Sequence, residues 1–457
     1  MLIPLPVSSY RVQGHRSGSE RLVNVYAEAS PKANSPASVL QTPGIKTPTG
    51  IVNPTAGEGR GVVNWQGILY SVVGTTLYKV NSSHVYTSIG TIGGTGTVSF
   101  GETPTQLVIC GNSASYTYDN TTLAQITDAD FNAGVQCCSI DGYVLFRRES
   151  TGIFFASDLA NASSFDALMF ATAEGLADQI VGIIADHRQA ILAGSQSMEI
   201  WYNAGVSGFP FIRDANGFVE IGCASGKTLA KADNTVFWLA NDLTVRRLDG
   251  VTPIRVSQHG VEKAIQGYTV SDAEGFAYTQ GGHLFYVLTF PTSDATWTYD
   301  ASTNEWHERQ SYGLGRWRPC SAVLCYNRWY VQDYETGKIG YLDPETYDDW
   351  DNTKRLEMTF QDIYSDGKLL RHKKLEVICE VGVGTTGQGA DPQLTLEYSD
   401  DSGQTWRTAA TKPLGEVGEY KTRVIWYRLG AARYRTYRLS IADPVKFVVS
   451  AVNLEVE

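Results

Sequence analysis

The chain has 457 residues, with 45 Gly, 25 Tyr, 10 Trp, 4 Met and a net charge of −11. That charge argues against a protein that holds nucleic acid by neutralising phosphates, and against one that binds anionic membranes. No apolar run is long enough to span a bilayer, and the composition is that of an aromatic-rich β protein with many tight turns.

Residues 1 to about 58 have no repeat character and are rich in Ser, Pro and Asn. The start, MLIPLPVSSYRVQG, lacks a basic region and is broken by Pro4 and Pro6, so it does not read as a secretory signal. One compact stretch, LVNVYAEASPK (Leu22 to Lys32), precedes the turn TPGI (Thr42 to Ile45). This N-terminal arm is expected either to complete a ring-closing blade or to tether a neighbouring subunit.

From Gly59 to Val80, GRGVVNWQGILYSVVGTTLYKV packs three short apolar strands and two tight turns into one unit. A leaf of this kind cannot bury both faces alone, so it predicts copies of itself. An outer strand like LYKV recurs as SYTYD (Ser115 to Asp119), IFFAS (Ile153 to Ser157), MEIWY (Met198 to Tyr202), LTVRRLD (Leu243 to Asp249), TWTYD (Thr296 to Asp300) and KIGYLD (Lys338 to Asp343). With LYKV that makes seven, at a spacing typical of propeller blades, so residues 59–343 read as a seven-bladed β-propeller. An ordinary β-sandwich shares the same strand and turn signals. The insertion Asp158 to Gln179 is expected to form short helical turns, with Phe165, Leu168 and Met169 packing down. A second short helix is expected over Val256 to Ile265.

The acidic stretch PETYDDWDNT, at 344–353, reads as a linker. Residues 354–457 then alternate cleanly in about six or seven strands, which points to a small antiparallel β-sandwich. Arg423, Arg428, Arg433, Arg435 and Arg438 make it locally basic, interleaved with Tyr427, Tyr434 and Tyr437. That pattern suits a nucleic-acid face. More simply it is a solvated strand face or a protein interface.

The seven cysteines are odd in number, scattered and mostly in apolar strands, so free buried thiols formed in a reducing cytoplasm are expected. IGCASGKT (Ile221 to Thr228) resembles a phosphate-binding loop but has Ile221 where the first Gly belongs and leads into a strand instead of a helix. SDDSGQTW matches an Asp-box turn, with Ser399, Asp401, Gly403, Thr405 and Trp406 in the pattern positions. The seven His residues are dispersed, with no metal-ligand spacing, and no catalytic residue, cofactor-binding residue or metal ligand is assigned. The Asp box and the aromatics leave a carbohydrate-binding or glycosidase-type propeller as the alternative reading.

The order LVNVYAEASPK, TPGI, RGVVNWQGILYSVVGTTLYKV, FFASDLANASSFDALMFATAEGLADQIVGI, GSQSMEIWYNAG and RVIWYRLGAARYRTYRLSI resembles the tail hub proteins of short-tailed bacteriophages of enteric bacteria. These are also called packaged DNA stabilisation proteins or tail accessory factors. The resemblance runs from about Leu22 to the C-terminus and implies a non-enzymatic virion protein without cofactors, assembled in the bacterial host cytoplasm. It further implies a ring, a hexamer, below the portal and its adaptor protein. That ring would close the genome channel and carry the tail needle or plug and the receptor-binding tail spikes. Tight sequence-specific DNA binding and membrane insertion are not expected.

Overall fold

A computed structural model of the chain describes residues 1–10, 20–29, 37–50 and 57–457. His15 and the end of the Leu22 to Lys32 stretch, from Ser30 on, lie outside the described residues.

The first blade pairs Gly59–Trp65, Ile68–Val73, Thr76–Val80 and Tyr86–Thr91 in antiparallel order. Its alternation sends Tyr70, Val72 and Leu77 to full burial against Leu107, Ile109 and Tyr118 of the next blade. The hairpin turn Gln66–Gly67 has positive φ at both central residues, 53° and 76°, the geometry whose twist matches the flanking strands. The same turn recurs at Asp141–Gly142, His187–Arg188, Asp233–Asn234, Gly281–Gly282 and Tyr326–Asn327. The chemistry of these pairs differs but the backbone demand is shared.

Among the described residues six four-stranded sheets stand as separate blades, not the seven expected. Five run in chain order from Gly59–Trp65 to Thr252–Arg255. The sixth pairs Pro319–Cys325, Arg328–Asp333 and Ile339–Asp343 with Gly44–Lys46 from the N-terminal segment. The four strands between Glu274 and Glu308, which include the TWTYD repeat, do not end as a blade. Glu305–Glu308 is joined in parallel by Arg21–Val23, and the sheet runs on through Leu356–Thr359, Tyr434–Ile441, Gln393–Ser399 and Arg407–Pro413 as one ten-stranded sheet. A strand edge covered by a distant segment leaves no mark on the local repeat.

The second sheet of the sandwich runs Val25–Ala29, Ala37–Gln41, Val448–Val456, Leu370–Cys379, Val424–Tyr427, with Leu2–Ile3 added on Val448–Val456. Leu22, Val25, Val39, Met358, Leu375, Leu394, Leu439 and Val452 fill the space between the sheets. So both sheets of the sandwich contain strands from the N-terminal segment.

Two local expectations are corrected. Residues 158–179 form turns and a short edge strand, Phe170–Thr172, instead of helical turns. Phe165 is buried, whereas Leu168 is 77% exposed. The Asp158 and Asn161 side chains bond Ser164 and the Ser163 backbone, satisfying turns in place of a helix start. The second helix begins at His259 and ends at Ile265, with Val261 and Ile265 fully buried.

Candidate functional sites in the channel, the joint and the sandwich

The first strands of the blades and Glu274–Gln280 converge on a central cavity of about 230 Å³. It is lined by Arg60, Gln136, Arg147, Lys227, Glu274 and Cys320, among others. Arg60, 1% exposed, is consumed by structure: its Nε donates to the Gly96 carbonyl at 2.7 Å and its Nη1 to those of Gly74 and Gly93. Arg147 Nε donates to Gln136 Oε1 at 3.1 Å. Glu274 is the one carboxylate among the described lining residues, bound by Lys227 Nζ at 3.3 Å and the Thr97 hydroxyl at 3.2 Å. A glycosidase needs two carboxyl groups flanking the scissile bond, and this cavity does not supply the pair. Among the described residues no three His, Cys, Asp or Glu stand together as a metal site, and no helix is long and apolar enough to cross a membrane.

A buried polar network lies at the joint between propeller and sandwich. Asn24, 1% exposed with φ 57°, donates through Nδ2 to the carbonyls of Gln310 at 2.9 Å and Arg355 at 2.8 Å, and its Oδ1 accepts from the Gln310 N–H. Its carbonyl accepts from the Thr42 amide and hydroxyl. Arg21 beside it makes a two-pronged bond to Glu308, at 2.9 and 2.8 Å, and reaches Glu357 at 3.3 Å. Beyond these, Lys354 is buried and donates to the carbonyls of Thr42 at 2.7 Å and Pro43 at 3.1 Å. Burial lowers its pKa to about 8. Asp349, pushed up by burial, accepts from Trp317 Nε1 at 3.1 Å. The Arg309 guanidinium lies over the Trp317 ring at 3.8 Å and donates to Tyr278 Oη. In the acidic stretch 344–353, Asp349 and Trp350 are buried, and the Trp350 N–H donates to the Ile45 carbonyl.

None of these joint residues was singled out in the sequence. The available signals were a lone Asn inside LVNVY and a Trp inside DDWDN.

The Asp-box residues form one turn on the sandwich. The Ser399 hydroxyl donates to Asp401 Oδ1 at 2.6 Å, and the Thr405 N–H and hydroxyl donate to Asp401 at 2.8 and 2.6 Å. The Ser399 and Thr405 hydroxyls hold the Asp401 carboxyl well below the usual carboxylate range. Gly403, at φ 88°, takes the left-handed position, and Trp406 is half-buried under the Arg438 guanidinium at 4.0 Å.

The five arginines do not share one face. Arg435 is buried, bonded to Asp400 at 2.7 and 3.0 Å and lying over Tyr398. Arg438 is half-buried and paired with Glu397 at 2.8 Å. Arg423 is exposed and held by Glu376. Arg433 donates to the Gly367 carbonyl, and Arg428 is exposed, at φ 56°.

Family comparison matches residues 12–347 to "Bacteriophage P22 Gp10, beta-propeller" and residues 356–457 to "Bacteriophage P22 Gp10, beta-sandwich". No curated protein matches the chain. Among solved structures, the computationally designed Ika8 protein shares 12% identity at a TM-score of 0.41, over 74% of this chain and 99% of that one. BamB from Moraxella catarrhalis shares 11% at 0.39, over 75% and 92%. The extracellular domain of the hybrid two-component system BT4673 from B. thetaiotaomicron shares 9% at 0.46, over 92% and 62%. At these values the solved structures carry no argument about function.

Proposed function

Since the chain belongs to the bacteriophage P22 Gp10 family of phage tail and packaged-DNA stabilisation proteins, we propose that it acts as the hub of a short phage tail. The observation that carries this reading is the match of both halves, in order, to that family. In this reading copies of the chain form a ring, a hexamer, below the portal-bound adaptor after assembly in the host cytoplasm. The ring closes the channel behind the packaged genome and carries the needle or plug and the tail spikes. The role is mechanical and uses no catalysis. Among the described residues that line the 230 Å³ cavity, the one carboxylate, Glu274, is already paired with Lys227, which supports that side of the reading.

DNA must slide past a hub during ejection, so a tight grip on phosphates would oppose the task. A net charge of −11 disfavours such a grip. The test mixes the purified protein with portal–adaptor complexes in one arm and with duplex DNA in the other. Association with the portal–adaptor complex, and no submicromolar DNA binding at physiological salt, is the expected result. Tight, steeply salt-dependent DNA binding without portal–adaptor association would overturn the proposal.

A further inference from the structure

We propose that the basic, tyrosine-rich end of the sandwich docks on the acidic, apolar rim of the third blade in a second copy of this chain. The inference rests on the ring reading above and names the two surfaces that build the ring.

The sandwich end is assembled by three pairings. Ile363–Tyr364 lies on Tyr434 and Arg435, Ala431–Ala432 lies on Leu370 and Arg371, and the Arg428 N–H donates to the Lys373 carbonyl. Tyr364, Leu369 and Tyr427 therefore emerge together, 64%, 56% and 62% exposed. Lys368, Arg371 and Arg428 stand exposed among them and form no ion pair among the described residues. The acidic groups nearby are Asp362, Asp366, Asp400 and Glu457; Asp362 is bonded by the Ser402 and Thr436 hydroxyls, Asp400 is taken by Arg435 at 2.7 Å and Glu457 by Lys373 at 2.9 Å. Tyr and Arg around exposed apolar area is the composition of interface anchors, and large exposed apolar groups of this kind mark binding surfaces.

The rim of the third blade carries the complement. Its edge strand, Phe170–Thr172, has no strand on its outer side among the described residues. Leu168, Phe170 and Leu176 are exposed along it. Asp166 and Glu174 are exposed between them, and the Ala173 N–H, bonded to the Gly152 carbonyl, brings the turn with exposed Glu149 beside Glu174. Residues 119–178 hold nine Asp and Glu against two Arg; Arg147 lines the channel, and Arg148, exposed beside Glu149, is the one basic group on the rim among the described residues. The sandwich, residues 354–457, holds 15 Lys and Arg against 14 Asp and Glu, so the chain's negative charge falls on the propeller half. Charge segregated in this way steers unlike surfaces together and keeps like ones apart.

Topology makes the contact intermolecular. The sandwich grows from the strands Glu274–Glu308, whose neighbours around the channel are the fifth and sixth blades. The third blade is at least two blades away in either direction. Two unlike patches at separate places on one chain make a head-to-tail contact, which closes into a ring when the rotation per copy allows it.

The test measures the mass in solution of the full chain and of three variants, with circular dichroism and thermal midpoint reporting that each is folded. The variants are Arg371→Glu with Arg428→Glu, Glu149→Lys with Glu174→Lys, and all four together. The wild type is expected to form rings, each pair to weaken association at least tenfold, and the fourfold exchange to restore it. Zero-length carbodiimide cross-linking of wild-type rings is expected to join Lys368 to Glu174 or Glu149, and does not depend on any variant. Rings that persist in both paired variants, or cross-links only elsewhere, would overturn the docking and leave the ring reading standing. A wild type that stays monomeric even with the portal–adaptor complex would sink both. Duplex DNA binding lost with Arg371 and Arg428, without change in assembly, would assign the sandwich end to nucleic acid and overturn the inference.

Discussion

Asn24→Ala is expected to cost about 3–5 kcal/mol and to split the melting of the chain into separate propeller and sandwich transitions. The side chain makes three hydrogen bonds that join Gln310 on one side to Arg355 on the other. Truncation leaves a partly buried N–H and two partly buried carbonyls without these partners, at about 1 kcal/mol for each, the low end of the range for such groups. Ala would also have to hold φ 57°, a left-handed conformation that costs about 1–2 kcal/mol more for residues other than Gly, Asn or Asp. Because Arg21–Val23 is the strand that joins the two parts of the ten-stranded sheet, loosening Asn24 releases both. Asn24→Gly tolerates the backbone and still loses the bonds, so it should fall between wild type and Ala. Differential scanning calorimetry decides the matter: a single transition in Asn24→Ala within about 0.5 kcal/mol of wild type would show that the joint does not hold the halves together.

Lys354→Met is expected to destabilise the chain by about 3–5 kcal/mol at neutral pH, because it takes away one of the two cations that offset the buried Asp349, leaves the Thr42 carbonyl without its amine donor, and leaves the Pro43 carbonyl only the long bond from Arg309. The pH dependence gives a second readout. The folded pKa of about 8 lies below the unfolded value, so between pH 8 and about 10.4 the unfolded state binds more protons than the folded one. Wild-type stability at this site therefore rises over that window and is lost as pH falls through 8. The Met variant lacks the titration, so the gap between the two should widen by about 2 kcal/mol from pH 8 to 10. Denaturant unfolding at pH 7, 8, 9 and 10 measures it. A gap that narrows over that range would mean that the lysine is stabilised in its charged form.

The parts of the fold legible in the sequence are the inner strands, packed against the strands of neighbouring blades. Runs such as LVICG, AILAG and VFWLA have no choice but the interior, and the turns between strands carry Gly, Asn or Asp at positive φ. His187–Arg188 adopts the same turn without that composition, so it left no signal. The outermost strands, such as Leu123–Gln125 and Phe170–Thr172, are three residues long and half-exposed, with little periodicity to read. The strands read as outer ones are third in their sheets. Counting them gave one blade too many, because TWTYD looks like its counterparts while the single parallel pairing of Val23 with Glu308 carries its sheet into the sandwich.

Site residues divide in the same way. The Asp-box turn is set by contacts within seven residues, the range over which a local spacing can carry a pattern. The arginine stretch was read by period-2 alternation, yet Arg433 lies just outside the strand Tyr434–Ile441, and Arg435 inside it faces Asp400 and Tyr398. The joint brings together residues about 290 to 330 apart in the chain, and no local pattern encodes such a meeting.

DNA retention tests the central claim most directly. Particles assembled in a host that lacks only this protein would be compared with complemented particles for packaged DNA, measured as nuclease-resistant genome per capsid after purification. The account predicts that particles without the protein package normally and then lose their DNA, that wild-type protein added back restores retention, and that the Arg371→Glu/Arg428→Glu form does not. Full, stable particles in the absence of the protein would contradict it.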